Sequence, residues 1–451
     1  MAVLALPGRR RSGVLRRHRF LDVAASAVHQ AAKPITGRMD YPLLLAITGL
    51  LAFGLIMVYS SSVVTAYTGY RNQFYFLIKQ GISASIGLTV MLVLTRVDYH
   101  LLRALSVPGL VIAVGLLAAV LIPGVGSEVY GAQRWLPLGT FQLQPSELAK
   151  LALIIYISHW LTTKREQVSD FAYGLMPFSV LMGIIVALLM KQPDMGTTIV
   201  LVTTAVAIFY AAGASLLHLG LLSAVGAFAG VILIRIAPYR MERFLAFIDP
   251  WEKPLATGYH VVQSLLAFGA GGITGVGLGV GRQKFMYLPF PHTDSIFAVV
   301  GEELGLLGTI GVVLAFVFLA YRGLRIAWYA PDQFGRLLAV GVTCGIAFQA
   351  MMNMAVLTSS VPFTGITLPF ISYGGSSLIT TLAGCGILLN VSRQTAFAAH
   401  NGTAASGSEG SGAAGGGSAG PRAARESGDR RRWHGGAYLS RLGRRTRTAA
   451  A

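Results

Sequence analysis

A carboxylate at position 294 follows Pro289, Phe290, Pro291, His292 and Thr293 and stands just before a long apolar run. Partly dehydrated at the edge of such a run, Asp294 would hold a proton more tightly than in water, which suits a general base. The position equally suits a helix cap, because Asp294, or Thr293 beside it, can satisfy free backbone N–H groups. Glu302 and Glu303 follow eight and nine residues on, about 12 Å deeper at 1.5 Å per residue. Around a helix Glu302 lies about 80° from Asp294 and Glu303 about 180°. Glu302 is therefore the expected site member, unless the pair serves to bind basic groups between helices.

Cations accompany these acids. Arg243 and Lys253 lie upstream, and Arg282 and Lys284 close a tract containing Gly269, Gly271, Gly272, Gly275, Gly277, Gly279 and Gly281. No strand pattern precedes the tract and no acidic residue follows at the required distance, so it is not a nucleotide fingerprint. Two readings remain: backbone N–H groups approaching a phosphate beside Arg282 and Lys284, or close packing of helices. Lys191, Gln192, Pro193 and Asp194 form another cluster, where the proline breaks an apolar run. Gln144, Pro145, Ser146, Glu147 and Lys150 form a third, with proline suited to a first helical position and Glu147 and Lys150 spaced for pairing. Arg134 and Trp135 precede it, the tryptophan as an interfacial anchor.

The elements that must position these residues are apolar. Of 451 residues, 54% are hydrophobic and 12% charged, about half the charged share of a soluble protein. Ten runs are long enough to cross a bilayer: 41–60, 75–95, 102–122, 146–162, 172–190, 195–213, 215–236, 295–320, 337–357 and 370–391. The expected fold is an all-α polytopic membrane protein with about ten transmembrane helices. Arg96, Arg103, Lys164, Arg165, Arg322, Arg325 and Arg336 fall in alternate short loops, which places both termini in the cytoplasm. The segment 237–293, between helices seven and eight, then becomes a large outer loop without strong periodicity, and loops of that length are usually functional.

The net charge of +18 is concentrated at the ends: of 36 Lys and Arg, eight precede Tyr41 and ten lie from Arg393 onward. Residues 1–40 read as a basic cytoplasmic tail, 41–393 as the membrane domain and 394–451 as a disordered Gly/Ala/Ser/Arg-rich cytoplasmic tail. Such tails anchor topology and attract anionic lipid rather than nucleic acid. Cys344 and Cys385 sit in apolar runs and are expected to be free, buried thiols.

Several stretches, in order, resemble one family. They are Gly258-Tyr259-His260 with Gln263-Ser264, Gly275 to Lys284, Leu288-Pro289 with His292-Thr293-Asp294, Gly301-Glu302-Glu303 with Gly305, and Pro369 to Ser377. Together they are similar to the shape, elongation, division and sporulation (SEDS) family, across about residues 40–393, and look more like its FtsW members than its RodA members. Gln144 to Glu147 and Gln192 to Gly196 match further family motifs, with Arg134 and Lys150 also matched. Ser295 stands where the family most often has Phe, Phe290-Pro291 replaces a commoner acidic-and-small pair, and Gly281 replaces a frequent Ser.

The resemblance implies a ten-helix inverting glycosyltransferase that polymerises lipid II into glycan strands at the outer face of the bacterial plasma membrane. Asp294 takes the place of the essential aspartate. The expected substrate-binding set is Arg134, Lys150, Lys191, Asp194, Arg243, Gln263, Ser264, Arg282, Lys284, His292, Thr293, Glu302, Ser372 and Ser376. Implied partners are lipid II and polyprenyl-pyrophosphate-linked glycan, a class B penicillin-binding protein as transpeptidase, other division proteins and membrane lipids. A divalent cation, magnesium or manganese, is the expected cofactor, with no nucleotide. Septal enrichment is the expected location, and the competing readings are a lipid II flippase, an elongation polymerase and a noncatalytic division scaffold.

Overall fold

The computed structural model describes residues 37, 39–129, 132–139 and 141–409. The chain divides into two units, 1–402 and 403–451, and in the second unit residues 403–409 are helical. Residues 1–36 and 410–451, most of the two basic tails, lie outside the described residues.

Asp40 opens the first helix by accepting the Leu43 N–H at 3.0 Å on its side chain, which satisfies one of the orphan donors of a helix start. Helix α1 runs Tyr41–Tyr70, α2 Tyr75–Arg96 and α3 Leu101–Ala119. A small antiparallel sheet follows, β1 Ser127–Val129, β2 Ala132–Leu138 and β3 Phe141–Leu143, with Ser127 opposite Trp135 and Leu136 opposite Leu143. Helix α4 is Pro145–Thr163, with its proline at the first helical position as expected. Helices α5 Met176–Lys191, α6 Met195–Ala211 and α7 Leu216–Ile236 come next. Two shorter helices, α8 Pro238–Ile248 and α9 Tyr259–Gly271, precede α10 Ile296–Trp328, α11 Gln333–Leu357 and α12 Gly375–Glu409.

All ten expected spans coincide with helices. Among the described residues eight helices are long and apolar enough to cross a membrane: α1, α2, α3, α5 with the turn before it, α7, α10, α11 and α12. Helix α6 is apolar but shorter, and α4 carries Glu147 and Lys150 near its start. The protein is an all-α, multi-pass membrane protein.

Several expectations need correction. The segment 237–293 is not a loop without periodicity, because α8 and α9 occupy much of it. The last span begins at Gly375 rather than 370, since residues 369–373 form turns before it, and its helix continues past 393. Helix α1 extends ten residues beyond the expected end and α10 eight. Cys385 is buried as expected, but Cys344 is only half-buried.

Helix α11 is the centre of the bundle, packed on α10, α6 and α4. Helix α7 stands apart, with His218 its only buried residue. At one end of the bundle Arg322 pairs with Asp40 at 2.5 Å, and the Asp40 N–H donates to Ser392 Oγ at 3.3 Å. The start of α1, the later part of α10 and α12 at residue 392 therefore meet at one end. Arg103 and His100 pair with Asp332, the N-cap of α11, and Gln394 reaches Asp98 at 2.8 Å. Asp294 precedes α10 and so lies at its opposite end.

Candidate active site

Asp294 closes a tight turn. The N–H groups of Thr293 and Ser295 both donate to Phe290 O, at 3.2 and 3.3 Å, and Phe290 holds a left-handed φ of 49°, a strain that persists only where the surroundings enforce it. Ser295, not Asp294, is the N-cap of α10, and no side-chain cap bond forms there. The capping alternative for Asp294 is therefore overturned. Its carboxylate instead accepts a hydrogen bond from Thr293 Oγ1 at 3.0 Å, and Oδ2 lies 3.4 Å from where a Cβ on Gly365 would stand. Dehydration raises its pKa to about 6, against the opposing pull of Thr293, its own N–H and Arg243. Such a carboxylate is ionised at neutral pH yet basic enough to take a proton.

One cation acts directly on this carboxylate, and a second cation and an imidazole stand behind it. The Arg243 guanidinium of α8 sits over the Phe363 ring at 5.5 Å and near the Tyr239 ring at 6.0 Å. It lies within electrostatic reach of Asp294 and of Arg134. Arg134, on β2, donates to Gln192 O at 2.8 Å and to Pro193 O, so the small sheet anchors the break between α5 and α6. The His260 ring of α9 packs on Phe363 with centroids 4.0 Å apart, and its Nε2 meets Ser295 Oγ at 2.7 Å. Dehydration and the Arg243 charge lower the His260 pKa to about 4, which leaves the ring neutral at pH 7.

Beneath the carboxylate runs a floor of buried amides that the sequence reading passed over. Asn353 Nδ2 donates to Asp294 O at 2.8 Å and to Ile366 O at 2.6 Å. One turn earlier on α11, Gln349 donates to Thr367 O at 3.0 Å and accepts from Lys150 Nζ at 2.5 Å. Lys150 also pairs with Glu147 at 2.9 Å, as their i, i+3 spacing implied. The signal was present: two amides four residues apart inside an apolar run are costly unless they face partners. Asp194 caps α6 through Thr197 N at 3.3 Å. Next to it a Cβ on Gly196 would collide with Ile366 and stand 3.1 Å from Thr364 Cβ, so glycine lets α6 approach the 364–366 loop.

Other expected site residues lie elsewhere. Glu302 is not beside Asp294. It accepts the backbone N–H groups of Arg282 and Gln283 at 2.6 and 3.1 Å, and just beyond it α10 kinks at Gly305, φ 65°, where the 271–277 segment pairs with the helix backbone. Val276 N donates to Glu302 O, Gly277 N to Glu303 O and Leu306 N to Gly272 O, at 3.0, 3.0 and 2.9 Å. Gly271 and Gly275 abut this backbone so closely that any Cβ would collide. For those glycines the packing reading prevails over the phosphate reading. Lys284 is likewise no open cation, being 4% exposed and paired with Glu303 at 2.7 Å.

Ser264 is fully buried and donates to His260 O, and Ser372 accepts Leu368 N within its own turn. Ser376 Oγ is buried without a partner. His292 packs on Phe76 at 4.3 Å, with its pKa pushed down to about 4 by dehydration. Lys191 and Arg282 are exposed and Gln263 half-buried. The structure thus gathers Asp294, Thr293 and Arg243, with Arg134 beyond Arg243, and supports Asp294 from below through Asn353. Lys150 joins the floor through Gln349, and Asp194 lies beside the 364–366 loop. It adds His260, Phe363, Gln349 and Asn353.

The family model for the FtsW, RodA and SpoVE cell cycle proteins matches residues 41–396. The chain belongs to this family. It is 46% identical over 356 residues to the probable peptidoglycan glycosyltransferase FtsW of Geobacter metallireducens, covering 79% of this chain and 95% of that one. It is 44% identical to the stage V sporulation protein E of Bacillus subtilis, covering 77% and 95%. Among solved structures, a chain from a peptidoglycan synthase complex that coordinates polymerization and crosslinking matches with TM-score 0.65 and 31% identity, over 79% of this chain and 98% of that one. The crystal structure of Thermus thermophilus RodA matches with TM-score 0.59 and 29% identity, over 79% and 97%. Within the family the chain is FtsW-like.

Proposed function

We propose that this FtsW-like protein is a peptidoglycan glycosyltransferase that polymerises lipid II. The observation that carries the reading is Asp294, a dehydrated carboxylate within the field of Arg243 and supported from below by Asn353. Names and matches of the relatives agree with it. In this reading the Asp294 end of the bundle faces outward, and the end where Asp40, Arg322 and Ser392 meet faces the cytoplasm, in keeping with the basic loops.

Asp294 takes the proton of an acceptor sugar hydroxyl while that oxygen attacks the anomeric carbon of a polyprenyl-pyrophosphate-linked donor. The C–O bond to pyrophosphate breaks in the same displacement, so configuration inverts and no covalent glycosyl-enzyme forms. Arg243 and Arg134 meet the charge growing on the departing pyrophosphate, an effect that is large in a water-poor site. Among the described residues no group of three or more His, Cys, Asp or Glu is arranged to hold a metal ion, so a site built by protein side chains alone does not fit. A magnesium or manganese ion would arrive on the pyrophosphate, and no step here depends on it. A class B penicillin-binding protein is the proposed crosslinking partner, together with other division proteins at the septum, on the strength of the FtsW names and the solved synthase complex.

Purified full-length protein in liposomes should convert lipid II into glycan polymer; lipid II translocation without polymer would overturn the proposal in favour of a flippase. Turnover should rise with pH through about 6 and level off above it, because the base must be ionised and its pKa is raised to about 6. A flat profile between pH 5 and 8 would exclude Asp294 as the titrating base. Arg243→Gln should lower turnover at saturating lipid II at least about tenfold, whereas Arg282→Gln, at an exposed position, should change it less than about twofold. Equal effects of the two changes would remove the pyrophosphate role from Arg243.

A further inference from the structure

Ser295 Oγ donates to Pro289 O at 2.7 Å. Its single proton is thereby used, so its contact with His260 at 2.7 Å must run the other way, with Nε2–H donating to Ser295 Oγ. The neutral tautomer is fixed by this bond. His260 thus begins a chain, Nε2–H to Ser295 Oγ to Pro289 O, that ties α9 across both sides of the turn carrying Asp294. Ser295 is fully buried, and an unpaired donor or acceptor there would carry a large penalty. The other ring contact of His260 is Phe363, which also carries Arg243. One imidazole therefore touches the residue after Asp294 and the ring under the nearest cation. A phenylalanine at position 295 could not accept this bond.

We propose that His260 is a positioning residue for the base: through Ser295 it holds the 289–295 turn closed, so that the half-buried Asp294 carboxylate stays aimed and partly shielded from water. The inference rests on the glycosyltransferase reading for its rate consequence, but the closure of the turn does not depend on that reading. The groups that act on Asp294 are its neighbour Thr293 and Arg243 from α8, with Arg134 from β2 acting through Arg243; His260 from α9 reaches the turn through Ser295, and His292 lies two residues upstream on the same segment. With His260 neutral at pH 7, removing it takes away a hydrogen bond and a wall rather than a charge.

Two readouts test this on the full-length protein. In an infrared pH titration, the carboxyl band present in wild type and absent in Asp294→Asn should titrate with a midpoint of about 6. His260→Ala opens the turn to water, so the midpoint should fall by at least about one unit toward the ordinary carboxylate range. His260→Gln, whose amide N–H can reach Ser295, should keep the midpoint near that of wild type. In the polymerisation assay His260→Ala should lower kcat about tenfold or more with KM within about twofold, and His260→Gln should recover most of the rate. Ser295→Ala removes the His260 bond together with the bond to Pro289 O, so its shift should be at least that of His260→Ala, and the double variant should add little to Ser295→Ala because the shared bond is already gone. A variant that is merely less well folded would lose active protein without moving the midpoint. An unmoved midpoint in His260→Ala overturns the inference even if lipid II proves not to be the substrate. A moved midpoint with no glycan made by wild type would instead uphold the positioning and sink the proposed function.

Discussion

Asp294→Asn should leave a folded, membrane-inserted protein whose polymerisation of lipid II is at least roughly a hundredfold slower than wild type, the scale of a lost general base. Asparagine keeps the shape of the side chain and can still accept from Thr293 Oγ1, while the bond from Asn353 goes to the backbone oxygen and is untouched. What it removes is the proton acceptor. The stability sign is opposite to that of a structural lesion. A carboxyl whose folded pKa is raised above 3.8 to about 6 is penalised in its charged form, so its ionisation costs stability as pH rises through that interval. Asn removes the cost, and the variant should unfold at the same temperature as wild type or higher at pH 7. Near-normal glycan synthesis by well-folded Asp294→Asn would remove the base from this residue; a rate loss accompanied by a lower unfolding temperature would point to a structural role.

The turn that makes Asp294 basic was legible in part. Its type and its place before an apolar run showed that a dehydrated carboxylate stood there, and the length of that run gave the helix behind it. The choice between cap and base was not legible, because it depends on which residue supplies the N-cap, and a shift of one residue to Ser295 decides it. Long helices were readable because twenty apolar residues leave no other structure that satisfies the backbone in lipid. The small sheet escaped: strands of three and seven residues broken by Gly and Pro carry too little period to separate from a loop. Helix α8 did leave a signal, since Met241, Phe244, Leu245 and Ile248 follow helical spacing, but it was diluted by reading 237–293 as one segment. The helical-wheel placement of Glu302 failed for a different reason. It counted the helix from Asp294, whereas α10 begins at Ile296, and the Glu302 carboxylate is taken up by the backbone N–H groups of Arg282 and Gln283, a tertiary contact that no helical wheel contains.

That failure changes what Lys284 is expected to do. Its Nζ lies 2.7 Å from Glu303 Oε1 and 3.2 Å from Ser60 Oγ, and Ser60 Oγ donates to Glu303 at 2.7 Å. With Lys284 and Glu303 at 4% and 0% exposure, removing one charge strands the other in an apolar bundle, at a cost of about 3–5 kcal/mol. Lys284→Met should therefore lower the unfolding temperature of the detergent-solubilised protein sharply. Turnover per folded molecule should stay within a few-fold of wild type, because the lysine closes the glycine segment onto α1 and α10 rather than meeting substrate. Replacing both members, Lys284→Met with Glu303→Gln, removes the stranded charge and should recover most of the lost stability, as buried pairs often tolerate joint replacement. A functional cation on the pyrophosphate predicts the reverse pattern. Lys284→Met would then be nearly as stable as wild type yet slow at saturating lipid II, and the Glu303 change would restore nothing. The double variant thus separates a clamp from a catalyst, and the position of Lys284 between Ser60 and Glu303 predicts the clamp.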